Sequence, residues 1–385
     1  MVARTLTTRL RASKKSALLL GPRQTGKSTL IAQLRPTLTV NLANEATYLD
    51  FARNPRELEE RVAPLTNSRR PATVLLDEVQ RLPSLLNTLQ ALLDRPGNQL
   101  KFYLTGSSAR KLRRGGANLL PGRVHTYNLG PLTCRELDYA LDTRQALGTG
   151  TLPGILTEPD RAEREKTLRS YAATYLKEEI QAESLTRNLE GFARFLDIVA
   201  EWAGHHLDLS KLAQAAQIPR QSAVRYYEIL EDTLIVRRAE PFTKSLSRRL
   251  VQHPKFFFFD VGVRNGLLGN FEVSQDRIGA LFEHLVFSQL ASGAAARDID
   301  IRISSYRTEN GAEVDFVVEI AREIWALEIK ASQNISSGAL RGLRSFAEHY
   351  GKQHRAAVLY LGNEARRIDG VDVLPWQAGL KAMGL

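Results

Sequence analysis

From residue 16 to residue 135, short apolar runs (SALLL, TLTVNLA, ATVLLDEV, LKFYLTGSS and RVHTYNLG) alternate with polar or amphipathic stretches. Runs of this length bounded by polar residues predict strands buried on both faces. Helical patterns between several of them predict an α/β domain with a parallel sheet under helices, covering 1–135. Past GTGTLPG the pattern turns helical and charged, and RAEREKTLRSYAATYLKEEI has no Gly or Pro to break it. Residues 136–190 therefore read as a helical connector. FARFLDIVAEWAG, SKLAQAAQ, Pro219-Arg220-Gln221-Ser222 opening AVRYYEILEDT, and LIVRRAEPF follow. Three short helices ending in a strand pair describe a winged helix-turn-helix over 191–250. Strand patterns at KFFFFD, EVDFVVEI, EIWALEIKA and AAVLYLG predict a last α/β domain over 251–385. There is no internal repeat or low-complexity linker.

The chain has 385 residues, too many for one ordinary core, and its 43% hydrophobic and 25% charged composition is that of a globular protein. Its formal net charge of +11 favours polyanionic partners, phosphate backbones or anionic lipids, with solubility alone as the other reading of the charge. Cys134 is the only cysteine, which excludes an intrachain disulfide and points to a reducing compartment, the cytoplasm. The basic start leads into an apolar run, Ala17 to Leu20, too short for a signal-peptide core. Phe256 to Phe259, flanked by Lys255 and Asp260, suits a buried strand, so no membrane span is expected.

The chemistry concentrates in Gly21-Pro22-Arg23-Gln24-Thr25-Gly26-Lys27-Ser28, followed by Thr29. Two glycines let backbone N–H groups turn inward around phosphate oxygens, a lysine reaches the β- and γ-phosphates, and a serine hydroxyl holds Mg²⁺. Placed between a strand and a helix, this pattern predicts a nucleotide-binding loop. The strand ATVLLDE ends in Asp77, a second Mg²⁺ ligand, and Glu78, which would orient the attacking water. LKFYLTGSS ends in hydroxyls; Ser107 is the first choice to face the γ-phosphate, with Thr105 and Ser108 as alternatives. Arg123 is the candidate phosphate-sensing arginine, in the same or a neighbouring subunit, and spacing does not separate it from Arg110, Arg113 or Arg114.

GPRQTGKST, VLLDEVQRLP, FYLTGSS, LLPGRV and LGPLTCREL, in this order, resemble the AAA-type ATPases of bacteria and archaea that carry a C-terminal DUF4143 region. The likeness runs on through YLKEEI to EVDFV and EIK and covers nearly the whole chain. It implies ATPase activity and supports Asp77, Glu78 and Ser107 in these roles. It also implies a homo-oligomer, a hexamer among the arrangements, with an arginine entering each site from the neighbour. The chain departs from the family pattern at Pro121 and at Thr149-Gly150-Thr151.

In a helix-turn-helix the second helix faces the major groove. Here it would present Arg220, Gln221, Ser222, Arg225 and Tyr226, with Arg237 and Arg238 on the wing and Lys244, Arg248 and Arg249 after them for phosphates. Winged helices also serve as packing modules, and both readings stand. In the last domain Glu283 lies on an amphipathic helix, Asp315 on a strand, and Glu328 with Lys330 on the next, two apart and so on one face. This set resembles the PD-(D/E)XK nuclease core, in which acids hold Mg²⁺ and a lysine positions water. A degenerate fold that only grips nucleic acid is the other reading. Tyr306 and Arg307 are placed to touch a backbone in either case. Three functions follow: an ATPase that binds or remodels DNA, an ATP-regulated nuclease of a defence or stress system, and an ATPase switch whose C-terminal domains bind only protein.

Overall fold

The computed structural model of the chain describes residues 2–66, 71–97, 99–107, 120–175, 188–242 and 253–385. Ser108, Arg110, Arg113, Arg114, Lys244, Arg248, Arg249 and most of YLKEEI lie outside the described residues. The chain is α/β throughout, with a parallel N-terminal sheet, a helical middle and a C-terminal α/β region.

The first sheet contains β1 (Ser16–Leu20), β2 (Leu38–Asn41), β3 (Ala72–Asp77), β4 (Leu100–Gly106) and β5 (Val124–Asn128) in the order β2-β3-β4-β1-β5, all parallel. Its central strands are apolar on both sides because helices cover both faces. β4 sits between β1 and β3, with Leu20 opposite Gly106 and Leu76 opposite Leu104. The loops leaving β1, β3 and β4 therefore open side by side at one edge, where open α/β sheets place their ligands.

The helical middle contains Thr143–Thr149, Arg161–Ser170, Leu189–Trp202, Leu209–Ala215 and Arg220–Asp232. Asp142, Asp160, Asn188 and Asp208 start four of these helices by accepting from first-turn N–H groups. The last three helices are followed by an antiparallel pair, β6 (Val236–Pro241) and β7 (Lys255–Phe258). That pair also extends the C-terminal sheet. Glu240 and Pro241 of β6 run parallel to Ser304 and Ser305 of β8 (Ile301–Arg307). Beyond β8 come β9 (Glu313–Ile320), β10 (Glu323–Lys330), β11 (Arg355–Tyr360), β12 (Arg366–Ile368) and β13 (Val371–Pro375), in the order β12-β13-β11-β10-β9-β8-β6-β7. The boundary expected at residue 250 is thus bridged by one continuous sheet. The cause is the alternation of side chains along a strand: Val236, Phe256 and Phe258 enter the core of the middle helices, while Ala239 and Phe257 enter the C-terminal core. Each of the three phenylalanines is fully buried, contributing about 1.5–3 kcal/mol.

The helix Ile278–Arg297 is apolar nearly all round because it lies between two bodies. One side packs on Phe257, Phe316 and Leu327. The other meets the N-terminal domain: the Cys134 N–H donates to Gln289 Oε1 (2.8 Å) and Gln289 Nε2 donates to the Leu132 carbonyl (2.9 Å). No helix among the described residues is long and apolar enough to cross a membrane.

Candidate functional site

At the edge where β1, β3 and β4 end, the chain leaves β1 into a tight loop. Gly26 has φ +88° and Gln24 φ +60°, both left-handed. A Cβ at Gly21 would stand 2.2 Å from the Leu129 carbonyl oxygen, so only glycine passes there. Thr25 Oγ1 closes the turn by donating to the Pro22 carbonyl (2.8 Å). Lys27 is 5% exposed, and its Nζ donates to the Gly21 (2.8 Å) and Pro22 (2.9 Å) carbonyls inside the loop. Arg23, Gln24, Ser28 and Thr29 are exposed on the outside. Beyond the loop a cleft of about 450 Å³ is lined by Arg23 and Gln24 and by Lys166, Thr167 and Tyr171 of the helical middle, with the Tyr171 hydroxyl donating to the Arg23 carbonyl (3.4 Å).

Asp77 ends β3 beside this loop and accepts from Ser28 Oγ at 2.8 Å and from Thr105 Oγ1. A hydroxyl and a carboxylate meeting at the mouth of a phosphate loop are the donor set a Mg²⁺ ion takes, so the residues present fit that ion. Glu78 follows with φ +60°, unusual for a side chain of its size, and its N–H donates to Thr105 Oγ1 (3.1 Å). Gln80 Nε2 bridges Glu78 Oε2 and Ser107 Oγ (3.1 Å to the latter). The structure therefore brings together Lys27, Ser28, Asp77, Glu78 and Ser107, and places Thr105 on Asp77.

Arg123 is not in this group. It precedes β5, whose Val124 lies opposite Ser16, the first residue of β1, at the far end of the sheet from the loop. There it forms a two-bond pair with Asp94 (2.5 and 2.8 Å). The same-chain role is therefore corrected, because strand direction puts four residues of β1 between it and the loop.

Sequence patterns missed two participants. Gln80 lay in plain view two residues past Glu78. Arg4, 7% exposed, sat in a segment read only as a basic start. Its guanidinium donates to the Thr25 carbonyl in the loop (2.7 Å), to the Gly130 carbonyl (2.9 Å) and to Glu136 (3.0 Å), fixing the loop to the chain that leaves β5.

In the helical middle, Arg220, Gln221 and Arg225 are exposed on the helix Arg220–Asp232, and Ser222 is half-buried. Tyr226 points the other way. It is 5% exposed and packs edge-on against Phe192 and Phe195, so its expected place on the outer face is corrected by the helical period. Arg237 is half-buried on β6. Arg238 is committed to Glu231 (Nε to Oε1 2.5 Å) and lies over the Tyr227 ring at 5.3 Å.

In the C-terminal region Glu283, Asp315, Glu328 and Lys330 do converge, with two further residues among them. Lys255 of β7 places Nζ 2.9 Å from Glu283 Oε1, 2.8 Å from Glu313 Oε1 and 3.9 Å from Asp315 Oδ1. The second Asp315 oxygen accepts the Ile329 N–H (2.8 Å), and Glu328 Oε1 accepts from Lys330 Nζ (2.5 Å). Burial works against the charge of Lys255, but Glu283, Asp315 and Glu313 together outweigh it and hold the ammonium above its ordinary value. Burial, reinforced by Asp315, pushes Glu283 and Glu328 up to about 7. Among the described residues no group of three His, Cys, Asp or Glu side chains is placed to hold a metal ion. The donor set here is taken by lysines and does not fit Mg²⁺. Tyr306, expected to reach a nucleic-acid backbone, is fully buried against Phe346, while Arg307 is exposed.

Family models match residues 13–138 (AAA domain), 141–274 (domain of unknown function DUF8612) and 278–378 (domain of unknown function DUF4143). Two mycobacterial relatives, Uncharacterized protein Rv2008c of Mycobacterium tuberculosis and Uncharacterized protein Mb2031c of Mycobacterium bovis, are each 29% identical over 333 residues, which is 85% of this chain and 72% of theirs. The solved structure of protein VC1899 from Vibrio cholerae aligns over 95% of this chain and 96% of its own at 13% identity, with a TM-score of 0.22, too low to carry a fold argument. The chain thus carries matches to an AAA domain and, C-terminal to it, to DUF4143, the pair of domains that its motifs led one to expect.

Proposed function

We propose that the chain is an oligomeric, Mg²⁺-dependent ATPase whose nucleotide state governs its hold on DNA. The convergence of Lys27, Ser28, Asp77 and Glu78 at one sheet edge carries this reading. In it, the loop from Gly21 to Thr29 wraps the phosphates and Lys27 leaves its carbonyl partners for the β- and γ-phosphate oxygens. Ser28 and Asp77 hold Mg²⁺, which supplies charge neutralisation to the phosphates. Glu78 orients the attacking water while Gln80 fixes the Glu78 carboxylate against Ser107. Arg123, at the opposite sheet end, is available only to a neighbouring copy, in keeping with a homo-oligomer. Exposed Arg220, Gln221 and Arg225, together with the net charge of +11, support DNA as the partner. The single cysteine suits the cytoplasm.

Regulated nuclease action has the convergence of Glu283, Asp315, Glu328 and Lys330 in its favour and Lys255 against it. The test is steady-state ATP turnover with and without single-stranded and duplex DNA. Lys27→Ala and Glu78→Gln should each lower turnover by about a hundredfold or more. Wild-type turnover in Glu78→Gln would sink the ATPase reading. If DNA changes neither turnover nor oligomeric state at about 0.15 M salt, the DNA part fails and a protein partner is preferred.

A further inference from the structure

The carboxylate cluster of the C-terminal sheet sits where the β6–β7 pair, the helix Ile278–Arg297 and β9–β10 meet. Nothing in ATP hydrolysis or DNA contact uses it. We infer that Lys255 is the resident cation of this cluster, so that the cluster ties the strand pair to the C-terminal sheet and does not take a divalent cation.

The distances carry the first half. One ammonium, on a side chain 7% exposed, lies within 2.9 Å of carboxylates from two different elements and 3.9 Å from a third carboxylate. A hydrated surface lysine does not gather three carboxylates. A buried one must, because removing its charge from water costs several kcal/mol unless it is matched. The other signature is on Glu328, 9% exposed, whose Oε2 is buried with no hydrogen-bond partner. Oxygens turned inward without a donor mark a pocket that seeks positive charge, and beside Glu328 that charge comes from Lys330.

The second half follows from what displacing Lys255 would require. Mg²⁺ demands about six oxygens in near-octahedral order and Ca²⁺ six to eight. Here the ammonium separates the carboxylates, and Asp315 and Glu328 have an oxygen each committed to Ile329 and Lys330. Lys255 is also anchored through its backbone, opposite Ala239 on β6 and bridged to His206. Its neighbours Phe256 and Phe257 are fully buried in two different cores. Withdrawing the ammonium would leave the Glu283 and Glu313 carboxylates without their cation. Lys255 also outweighs the burial of Glu313 and holds that carboxyl below its ordinary value.

Isothermal titration of Mn²⁺ into the full chain tests this, with Asp77→Asn present throughout so that the nucleotide site does not contribute. In that background the inference expects no Asp315-dependent site, so adding Asp315→Asn changes nothing. Lys255→Met should create a site binding Mn²⁺ about tenfold or more tighter than the parent, and Asp315→Asn should remove it. A parent site that Asp315→Asn abolishes overturns the inference. A Lys255→Met chain that is folded by circular dichroism and gains no Mn²⁺ overturns it as well. The parent comparison leaves Lys255 unchanged, so it decides the matter even if Lys255→Met does not fold.

Discussion

Lys27 and Lys255 are equally buried, each 5% exposed, yet the hydrogen-bond partners described for them differ in charge. Lys27 donates to two carbonyls of the loop around it, at 2.8 and 2.9 Å. A phosphate oxygen competes easily for such an ammonium, because it replaces a partial charge by a full one. Lys255 donates to two carboxylates at 2.8 and 2.9 Å, with a third at 3.9 Å. An incoming anion gains nothing there, and an incoming cation meets the lysine first. The same residue type is thus a receptor in one region and a built-in counter-ion in the other. What decides is whether its partners are neutral loop atoms or ionised side chains from separate elements.

The contrast breaks most visibly on stability. Removing one partner of a buried, multiply paired charge costs about 3–5 kcal/mol. Lys255→Met should therefore lower the free energy of urea unfolding by about 3 kcal/mol while a folded preparation keeps its ATP turnover. Lys27→Ala should do the reverse, costing about 1 kcal/mol or less because its carbonyl partners rehydrate, while turnover collapses. Equal losses of stability in the two variants would erase the distinction.

The two regions also differed in legibility, for a physical reason. A phosphate cradle uses neighbouring backbone N–H groups, so its residues are contiguous from Gly21 to Ser28, and Asp77 and Glu78 fall where an apolar run ends. Glu283, Asp315, Glu328 and Lys330 were also readable, since helix and strand periods place them on facing sides. Lys255 was not. It read only as the polar edge of a phenylalanine run, and its role depends on β6 pairing with β8, a long-range pairing that no local pattern encodes. Arg123 shows the same limit: which end of the sheet it reaches depends on the parallel pairing of β5 with β1, with Val124 opposite Ser16.

Within the nucleotide site, Gln80 sharpens the comparison on a finer scale. Its amide links Glu78 to Ser107 across the gap between β3 and β4, and at 6% exposure it has little freedom to do anything else. Gln80→Leu keeps the volume and loses the link. It should lower kcat by about tenfold with KM unchanged, since a mispositioned carboxylate harms the transition state but not nucleotide binding. A rise in KM at constant kcat would make Gln80 part of the binding surface instead.

Arg238 should give the smallest effect. It has the appearance of a wing residue ready for DNA, but both arms of its guanidinium face Glu231 and the plane lies over Tyr227. With side-chain exposures of 35% and 25%, the pair is worth about 1 kcal/mol or less. Arg238→Ala should therefore shift unfolding slightly and leave DNA affinity unchanged. Arg225→Ala, on an exposed helix face, should weaken binding to all sequences alike and reduce the salt slope by about 1. Fluorescence anisotropy at several salt concentrations separates the two. If Arg238→Ala reduces the slope as much as Arg225→Ala, its ion pair opens for phosphate, and Arg238 would be a receptor of the Lys27 kind, not a counter-ion of the Lys255 kind.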